Sequence, residues 1–311
     1  MHQILDNYSI IQIKRKRKRE VIMNGYLLVN KEKGMTSRDV VNIASRVLQT
    51  KKVGHTGTLD PIASGVLVLC IGKATKLVEL VTSTEKEYVA TVCLGVETDT
   101  LDETGTVLNE QEAMITKEEI EHALHTFQKT YMQEVPLYSA VKVKGRKCYE
   151  YARAKENVTL PKKEVTIYHL SLEGEPWYHH GKTYFQFRAL VSKGTYIRSL
   201  IRDLALALHT YGMMTDLVRT KQGDFKLEDC LSLEALERGE VQIQPMFDLV
   251  SHYPKKVVSE EEIKKIKYGQ FFSNETHQEI VVMVDSEDHL LSIYKKYEKN
   301  ENLLKPWKTF I

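Results

Sequence analysis

Apolar positions alternate with polar ones over some stretches of the chain and recur every three to four residues over others. Tyr26–Asn30 is a short apolar strand. Ser37–Leu48 has helical spacing behind a cap at Thr36 or Ser37, where a side-chain oxygen can take a backbone N–H of the first turn. Ser64–Ile71 is a buried apolar run, and the amphipathic Ala74–Val81 follows it. Glu87–Gly95 alternates as a strand, and Lys117–Lys129 reads as a helix. Lys162–Leu172 and Thr183–Ser192 read as strands. Thr195–His209 is an amphipathic helix with apolar Ile197, Leu200, Ile201, Leu204 and Leu208. Runs of strands interrupted by single helices predict an α+β domain with a mixed or antiparallel sheet. Strict βα alternation is absent, which argues against a Rossmann or TIM fold.

Near Tyr253-Pro254 the character shifts. Residues 254–311 carry a short helix (Ser259–Lys267), two strands (Glu279–Val284 and Leu290–Tyr297) and a tail containing Pro306. The expected layout is a basic extension over residues 1–22, a large domain over 23–250 and a small unit over 251–311. No internal repeat is evident.

Composition narrows the function classes. A 311-residue chain with 42% apolar and 28% charged residues is that of a soluble globular protein. No window approaches the roughly 18–20 uninterrupted apolar residues of a membrane span. No signal-peptide pattern is expected, because the short apolar stretch Tyr8–Ile13 precedes the basic run instead of following it. Cys70, Cys93, Cys148 and Cys230 lie far apart with no CxxC pair, so a reducing cytoplasm fits better than a zinc knuckle or a disulfide framework. The chain has 44 basic and 42 acidic residues, a net +2; residues 1–22, with six basic and two acidic, hold +4, leaving −2 for the rest. Lys14–Arg19 is a block of like charge that stays solvated and could grip RNA non-specifically or be incidental. Any further polyanion site must come from local clustering.

The segment richest in chemistry runs from Val53 to Lys76. Gly54 and Gly57 bracket His55 and permit close backbone approach. Pro61 biases Asp60 toward an extended conformation, and an apolar strand follows at once. A carboxylate on a stiff loop abutting the core is well placed for positional chemistry. An Asx-type turn with a satisfied cap is the other reading of the same residues.

Gly54-His-Thr-Gly-Thr-Leu-Asp60-Pro-x-Ala-Ser-Gly-Val-Leu resembles the catalytic motif of the TruB family of tRNA pseudouridine synthases. Further segments match in family order. They are Asn24-Gly-Tyr-Leu-Leu-Val-Asn-Lys-Glu-Lys-Gly-Met-Thr-Ser37, Lys86-Glu-Tyr88 and Leu94-Gly-x-x-Thr-Asp-Thr100. Gln133-x-x-Pro-x-Tyr-Ser-Ala140, Tyr149-x-Tyr-Ala-Arg153, Ser192-Lys-Gly-Thr-Tyr-Ile-Arg198 and Leu217-x-Arg-Thr-x-x-Gly223 continue the series.

That resemblance implies a pseudouridine synthase catalytic domain with a small PUA-like RNA-binding domain after it, hinted at by Gly269-Gln-Phe-Phe272, Leu290–Tyr294 and Lys305-Pro306. It implies isomerisation of uridine 55 in the T-loop of tRNA by a cytoplasmic monomer that uses no metal, nucleotide or other small-molecule cofactor and no membrane. Asp60 is then the essential carboxylate, adding to the base, attacking the sugar, or acting in a route through the ribose 2′ position. Each route needs Asp60 ionised, so a cation is expected beside it, and the matching residue is Arg198. Because the base must be flipped out of a structured loop, stacking partners are implied. Tyr88 matches the tyrosine that stacks on the base, Tyr196 a second pocket residue, and Leu217 an apolar wall. His55 matches the histidine that fills the space the nucleotide vacates, and Asp99 a supporting position. Without the family, Tyr88 reads as the opening of an alternating strand, Leu217 as core, His55 as a solvated loop residue and Arg198 as a surface residue of an amphipathic helix.

Basic residues crowd the motif: Lys31, Lys33, Arg38, Lys51, Lys52, Lys73 and Lys76, with a second cluster at Lys142, Lys144, Arg146 and Lys147. Lys31 and Lys76 are the expected phosphate contacts, which would supply affinity without sequence information. His122-x-x-His125 has the spacing of a metal pair but no third ligand, His179-His180 adjoins Gly181 in an expected hairpin turn, and Asp99-x-x-Asp102-Glu103-x-Gly105 faintly resembles a calcium loop or a phosphatase motif; all three read as structural. A non-catalytic RNA-binding or tRNA-folding protein, and a guide-dependent rRNA pseudouridine synthase, are the rival readings.

Overall fold

The computed structural model describes residues 23–311, so the basic run at 14–19 lies outside the described residues. The first strand, β1 (Gly25–Lys31), leads through helix α1 (Ser37–Val47) to β2 (Val53–His55) and β3 (Ala63–Ile71). Thr36 caps α1 by accepting from Asp39 N while the Asp39 carboxylate accepts from Thr36 N. The expected amphipathic segment 74–81 is split: a 3-10 turn (Gly72–Leu77) passes into the short α2 (Val78–Thr82). Next come β4 (Lys86–Leu94), a small hairpin of β5 (Val96–Thr98) and β6 (Val107–Glu110), and α3 (Lys117–Thr126), which stops three residues short of the expected end. Strand β7 (Thr130–Glu134), a hairpin of β8 (Lys142–Val143) and β9 (Arg146–Lys147), and α4 (Cys148–Ala154) follow. The long β10 (Lys162–His179) turns at His180-Gly181 into β11 (Lys182–Val191), and α5 (Ile197–Ala207) precedes β12 (Gly212–Gln222) and β13 (Phe225–Lys226).

A nine-stranded mixed sheet results, in the order β1-β3-β12-β4-β11-β10-β7, with β2 on β3 and β13 on β12. All its pairs are antiparallel except β12 with β3. Burial explains the apolar run of β3. Val66, Val68 and Cys70 face one cluster with Leu77 and Val282, whereas Leu67, Leu69 and Ile71 face another with Val40, Val41 and Leu236 of α1 and α6 (Leu233–Arg238). A third cluster packs Tyr88, Ala90 and Val92 of β4 and Leu217 of β12 under Leu200, Ile201 and Leu204 of α5. Gly65 is required where β3 meets β12, because a Cβ there would lie 2.2 Å from the Arg219 carbonyl oxygen.

The remaining elements are β14 (Lys255–Val257), α7 (Glu260–Lys267), β15 (Phe272–Ser273), β16 (Ile280–Val284), β17 (Leu290–Tyr297) and β18 (Asn300–Thr309). They form a five-stranded sheet, β14-β16-β17-β18-β15, that fits the PUA-like unit expected. Pro306 is not in a tail but in β18, opposite Tyr294 and beside a register shift, where its missing N–H is tolerated. Phe310, Val282 and Ile293 pack with Tyr26 and Val66, so the small sheet is seated on β1 and β3.

Candidate active site

The segment from Thr56 to Ile62 joins β2 to β3 and is anchored from several sides. Gln222 Nε2 donates to Thr56 Oγ1 (2.7 Å) and to its carbonyl (3.1 Å). Arg219, fully buried, donates to the carbonyls of Val66 (2.7 Å) and Gly57 (3.0 Å). Ser37 Oγ accepts from Leu59 N at 2.9 Å, and Gly34 N donates to the Pro61 carbonyl at 2.8 Å. Leu59 and Ile62 are buried beside Tyr88 and Leu217, which leaves Asp60 between two apolar anchors with its side chain 37% exposed.

Asp60 is aimed at Arg198. Its Oδ2 lies 3.0 Å from Nη2 of the guanidinium, which is only 7% exposed. No backbone N–H among the described residues donates to the Asp60 carboxylate, so the ion pair takes the place of the Asx turn. Arg198 stands in the first turn of α5, where the helix dipole disfavours a cation and no acidic residue is present. Its compensation comes from elsewhere. Nη1 donates to the Thr100 carbonyl (2.8 Å) and lies 3.5 Å from Asp102 Oδ2, and Nη2 donates to the Tyr138 carbonyl (3.1 Å). Asp102 is itself buried, its Oδ1 accepting from Thr100 Oγ1, Thr104 N and Thr104 Oγ1 at 2.8, 3.1 and 2.5 Å. A buried arginine thus bridges an exposed carboxylate and a fully bonded one. Such an arrangement holds Asp60 in one orientation while leaving its free face open to a ligand.

The other sequence-derived residues fall into four groups. Tyr88, Leu217 and Tyr196 converge on the Asp60 loop. Leu217 is opposite both Ala63 and Ala90, and Tyr88 shares its cluster. Gln133 clamps the Tyr196 backbone, accepting from its N–H (2.8 Å) and donating to its carbonyl (3.2 Å). Burial, followed by the Asp60 charge, raises the Tyr196 pKa, so its hydroxyl stays protonated. His55 is half-buried at the end of β2, and burial with nearby Arg38 and Arg219 lowers its pKa and keeps it neutral. Its Nδ1 is buried with no hydrogen-bond partner among the described residues.

Asp99 belongs to the supporting layer: it accepts from Thr106 N (2.8 Å) and from the Tyr138 hydroxyl (3.1 Å), next to the Thr100 and Tyr138 carbonyls that hold Arg198. The two lysines depart from the expected phosphate contacts. Lys31 is fully buried, and its ammonium donates to the carbonyls of Ala63 (2.6 Å) and Glu32 (2.8 Å). Desolvation lowers its pKa to about 8, partly opposed by Asp60. Lys76 is exposed but spends its ammonium on the Thr309 carbonyl (2.6 Å), which ties the 3-10 turn to the C-terminal strand. Asp102, Gln133 and Arg219 were not singled out from the sequence. Gln133 and Arg219 lie within matching segments and Asp102 two residues beyond one, yet none carries a spacing that announces a buried polar contact.

A family model described as TruB family pseudouridylate synthase (N terminal domain) matches residues 45–197. tRNA pseudouridine synthase B of Bacillus cytotoxicus is 40% identical over 300 residues, covering 93% of this chain and 98% of the relative. The protein of the same name from Bacillus pumilus is 38% identical over 301 residues, covering 92% and 97%. Among solved structures, a Cbf5-Nop10-Gar1 complex superposes with a TM-score of 0.70 at 24% identity, covering 98% of this chain and 92% of that one. An H/ACA RNP bound to a substrate RNA containing 2'-deoxyuridine gives 0.69 at 22%, covering 99% and 92%. At such identities these two report the fold alone.

Proposed function

Because the chain belongs to the TruB family of pseudouridylate synthases, we propose that it is a tRNA pseudouridine synthase that isomerises uridine 55 of the T-loop. The reaction breaks the N1–C1′ bond, turns the base, and forms C5–C1′; the C5 proton is lost and N1 ends protonated. Atoms and electrons balance within one nucleotide, so no oxidant or co-reactant enters the scheme. The observation that carries the reading is the half-open Asp60 carboxylate, 3.0 Å from a buried Arg198. An ionised, positioned carboxylate is what attack on base or sugar requires.

In this scheme the uridine leaves the T-arm stack and enters between Tyr88, Tyr196 and Leu217. Its apolar and aromatic contacts there offset the few kcal/mol lost on unstacking. His55, neutral and with a ring nitrogen that has no hydrogen-bond partner among the described residues, takes the place of the flipped nucleotide. Lys31 acts by fixing the strand after Asp60, and Asp99 and Asp102 act through Arg198. Residues 23–250 are read as the catalytic domain and 251–311 as the RNA-binding one, working as a cytoplasmic monomer. No helix among the described residues is long and apolar enough to cross a membrane. Incubation with a tRNA transcript tritiated at uridine C5 tests the proposal: release of about one tritium per tRNA is expected, and none from Asp60→Asn. Release by the variant at the parent rate would refute the assignment of Asp60.

A further inference from the structure

Strand β7 presents alternate residues to the core beside α5. Gln133 is buried, Tyr131 is half-buried two residues earlier, and Met132 between them is exposed. Helix α5 lacks support of its own where it starts. Its N-cap residue, Tyr196, makes no side-chain hydrogen bond to the first turn, and Arg198 lies only two residues further on. The Gln133 amide meets that entry, and what it faces dictates its orientation. The Tyr196 N–H can only donate, so it meets Oε1 at 2.8 Å; the Tyr196 carbonyl can only accept, so it meets Nε2 at 3.2 Å.

The second hydrogen of Nε2 goes to the Tyr131 hydroxyl oxygen at 2.8 Å. Tyr131 must then send its own proton elsewhere, and Asp203 Oδ2, further along α5, accepts it at 3.2 Å. Burial, followed by the Asp203 charge, raises the Tyr131 pKa, so the hydroxyl keeps that proton. Asp203 Oδ1 is held in turn by Arg202, whose Nη2 and Nε donate at 2.8 and 3.0 Å while Nη1 reaches Glu134 Oε1 at 3.4 Å. Each donor in the series finds an acceptor, and the polarity runs one way, from the Tyr196 backbone to a carboxylate on the same helix.

We propose that Asp203, Tyr131 and Gln133 are positioning residues for the isomerisation: by fixing the Gln133 amide they set the path of the chain into α5, and with it the placement of Tyr196 and Arg198 around the Asp60 carboxylate. This role presupposes the uridine isomerisation, in which Tyr196 walls the base pocket and Arg198 orients Asp60. Among the described residues no hydrogen bond or ion pair joins any of the three to Asp60, so their effect passes through the Tyr196 backbone. A misplacement of about 1 Å at a reacting group can cost roughly 100-fold in rate.

Two mild variants test the series. Tyr131→Phe deletes the hydroxyl and keeps the ring against Phe127, with centroids 5.7 Å apart. Asp203→Asn keeps the shape and removes the charge. Single-turnover tritium release from C5-labelled tRNA, with enzyme in excess, reads the chemical step; filter binding reads tRNA affinity and urea unfolding reads the fold. Tyr131→Phe is expected to slow the chemical step about three- to tenfold, with affinity within about twofold. Asp203→Asn should slow it comparably in the parent but by less than about twofold in the Tyr131→Phe background, because the hydroxyl it acts through is gone. Gln133→Glu, which opposes an oxygen to the Tyr196 carbonyl, should cost more, roughly 30- to 100-fold. The Tyr131–Asp203 cycle decides the matter even where Gln133→Glu does not fold. A parent-like rate from Tyr131→Phe overturns the proposal, as does a defect confined to tRNA affinity or to the urea midpoint. Effects of Tyr131→Phe and Asp203→Asn that multiply in the double variant overturn it too. A parent that releases no tritium instead strikes the isomerisation on which this role depends.

Discussion

Asp102→Asn separates the charge behind Arg198 from the shape that surrounds it. Asparagine keeps an oxygen that can accept from Thr100 and Thr104, so the loop has no steric reason to move. What disappears is a negative charge 3.5 Å from Arg198 Nη1, between side chains only 7% and 6% exposed. Two unit charges at about 4 Å attract by roughly 4 kcal/mol at an effective dielectric constant of 20. Part of that is returned, because the carboxylate no longer needs desolvating and Arg198 keeps Asp60 and two carbonyls. We expect about 1.4–2.7 kcal/mol to be lost from the transition state, a fall in kcat of roughly 10- to 100-fold, with KM changed less than about threefold. Single-turnover tritium release at saturating tRNA measures the chemical step. A variant with the parent rate, or one whose whole defect lies in KM, would show that Asp102 does not act through Arg198.

Three other substitutions probe separate parts of the account. Asp60→Asn is expected to abolish isomerisation while tRNA affinity stays within about tenfold, because phosphate and stacking contacts dominate binding; filter binding beside the activity assay reads both. Burial lowers the Lys86 pKa from 10.5 to about 8, so the unfolded chain binds more protons between those values and stability rises with pH across that window. Lys86→Met should flatten the rise by on the order of 1–3 kcal/mol in urea titrations at pH 7.5 and 10; an unchanged slope would remove Lys86 as its source. Lys76→Ala should leave the log–log salt dependence of tRNA binding unchanged, whereas losing a phosphate contact would lower the slope by roughly one.

Strong local patterns made much of the fold legible. Strand β3 is buried on both faces and reads as an unbroken apolar run, and α1 combines helical spacing with the Thr36–Asp39 capping box. Strand β12, central to the sheet, gave no such signal. Thr215, Asp216, Arg219, Thr220 and Lys221 interrupt its alternation, because Arg219 and Gln222 are buried there to hold the backbone of the Asp60 loop. The segment at 74–81 looked like one helix because periodicity does not register a change from 3-10 to α winding.

The same contrast runs through the site. Asp60 and Arg198 were placed by family resemblance and do meet at 3.0 Å. Lys31 and Lys76 looked alike in sequence, yet one is sealed under the loop and the other fastened to β18. Asp102 stood in a segment that faintly resembled a calcium loop. Its partner is an arginine almost a hundred residues away, and no local spacing encodes that contact.

Mapping of pseudouridine at nucleotide resolution, in unmodified tRNA incubated with the purified protein or with Asp60→Asn, tests the central claim most directly. The account predicts one modified position, the T-loop uridine 55, with the parent and none with the variant. Pseudouridine at that position with Asp60→Asn, or none with the parent, would contradict it.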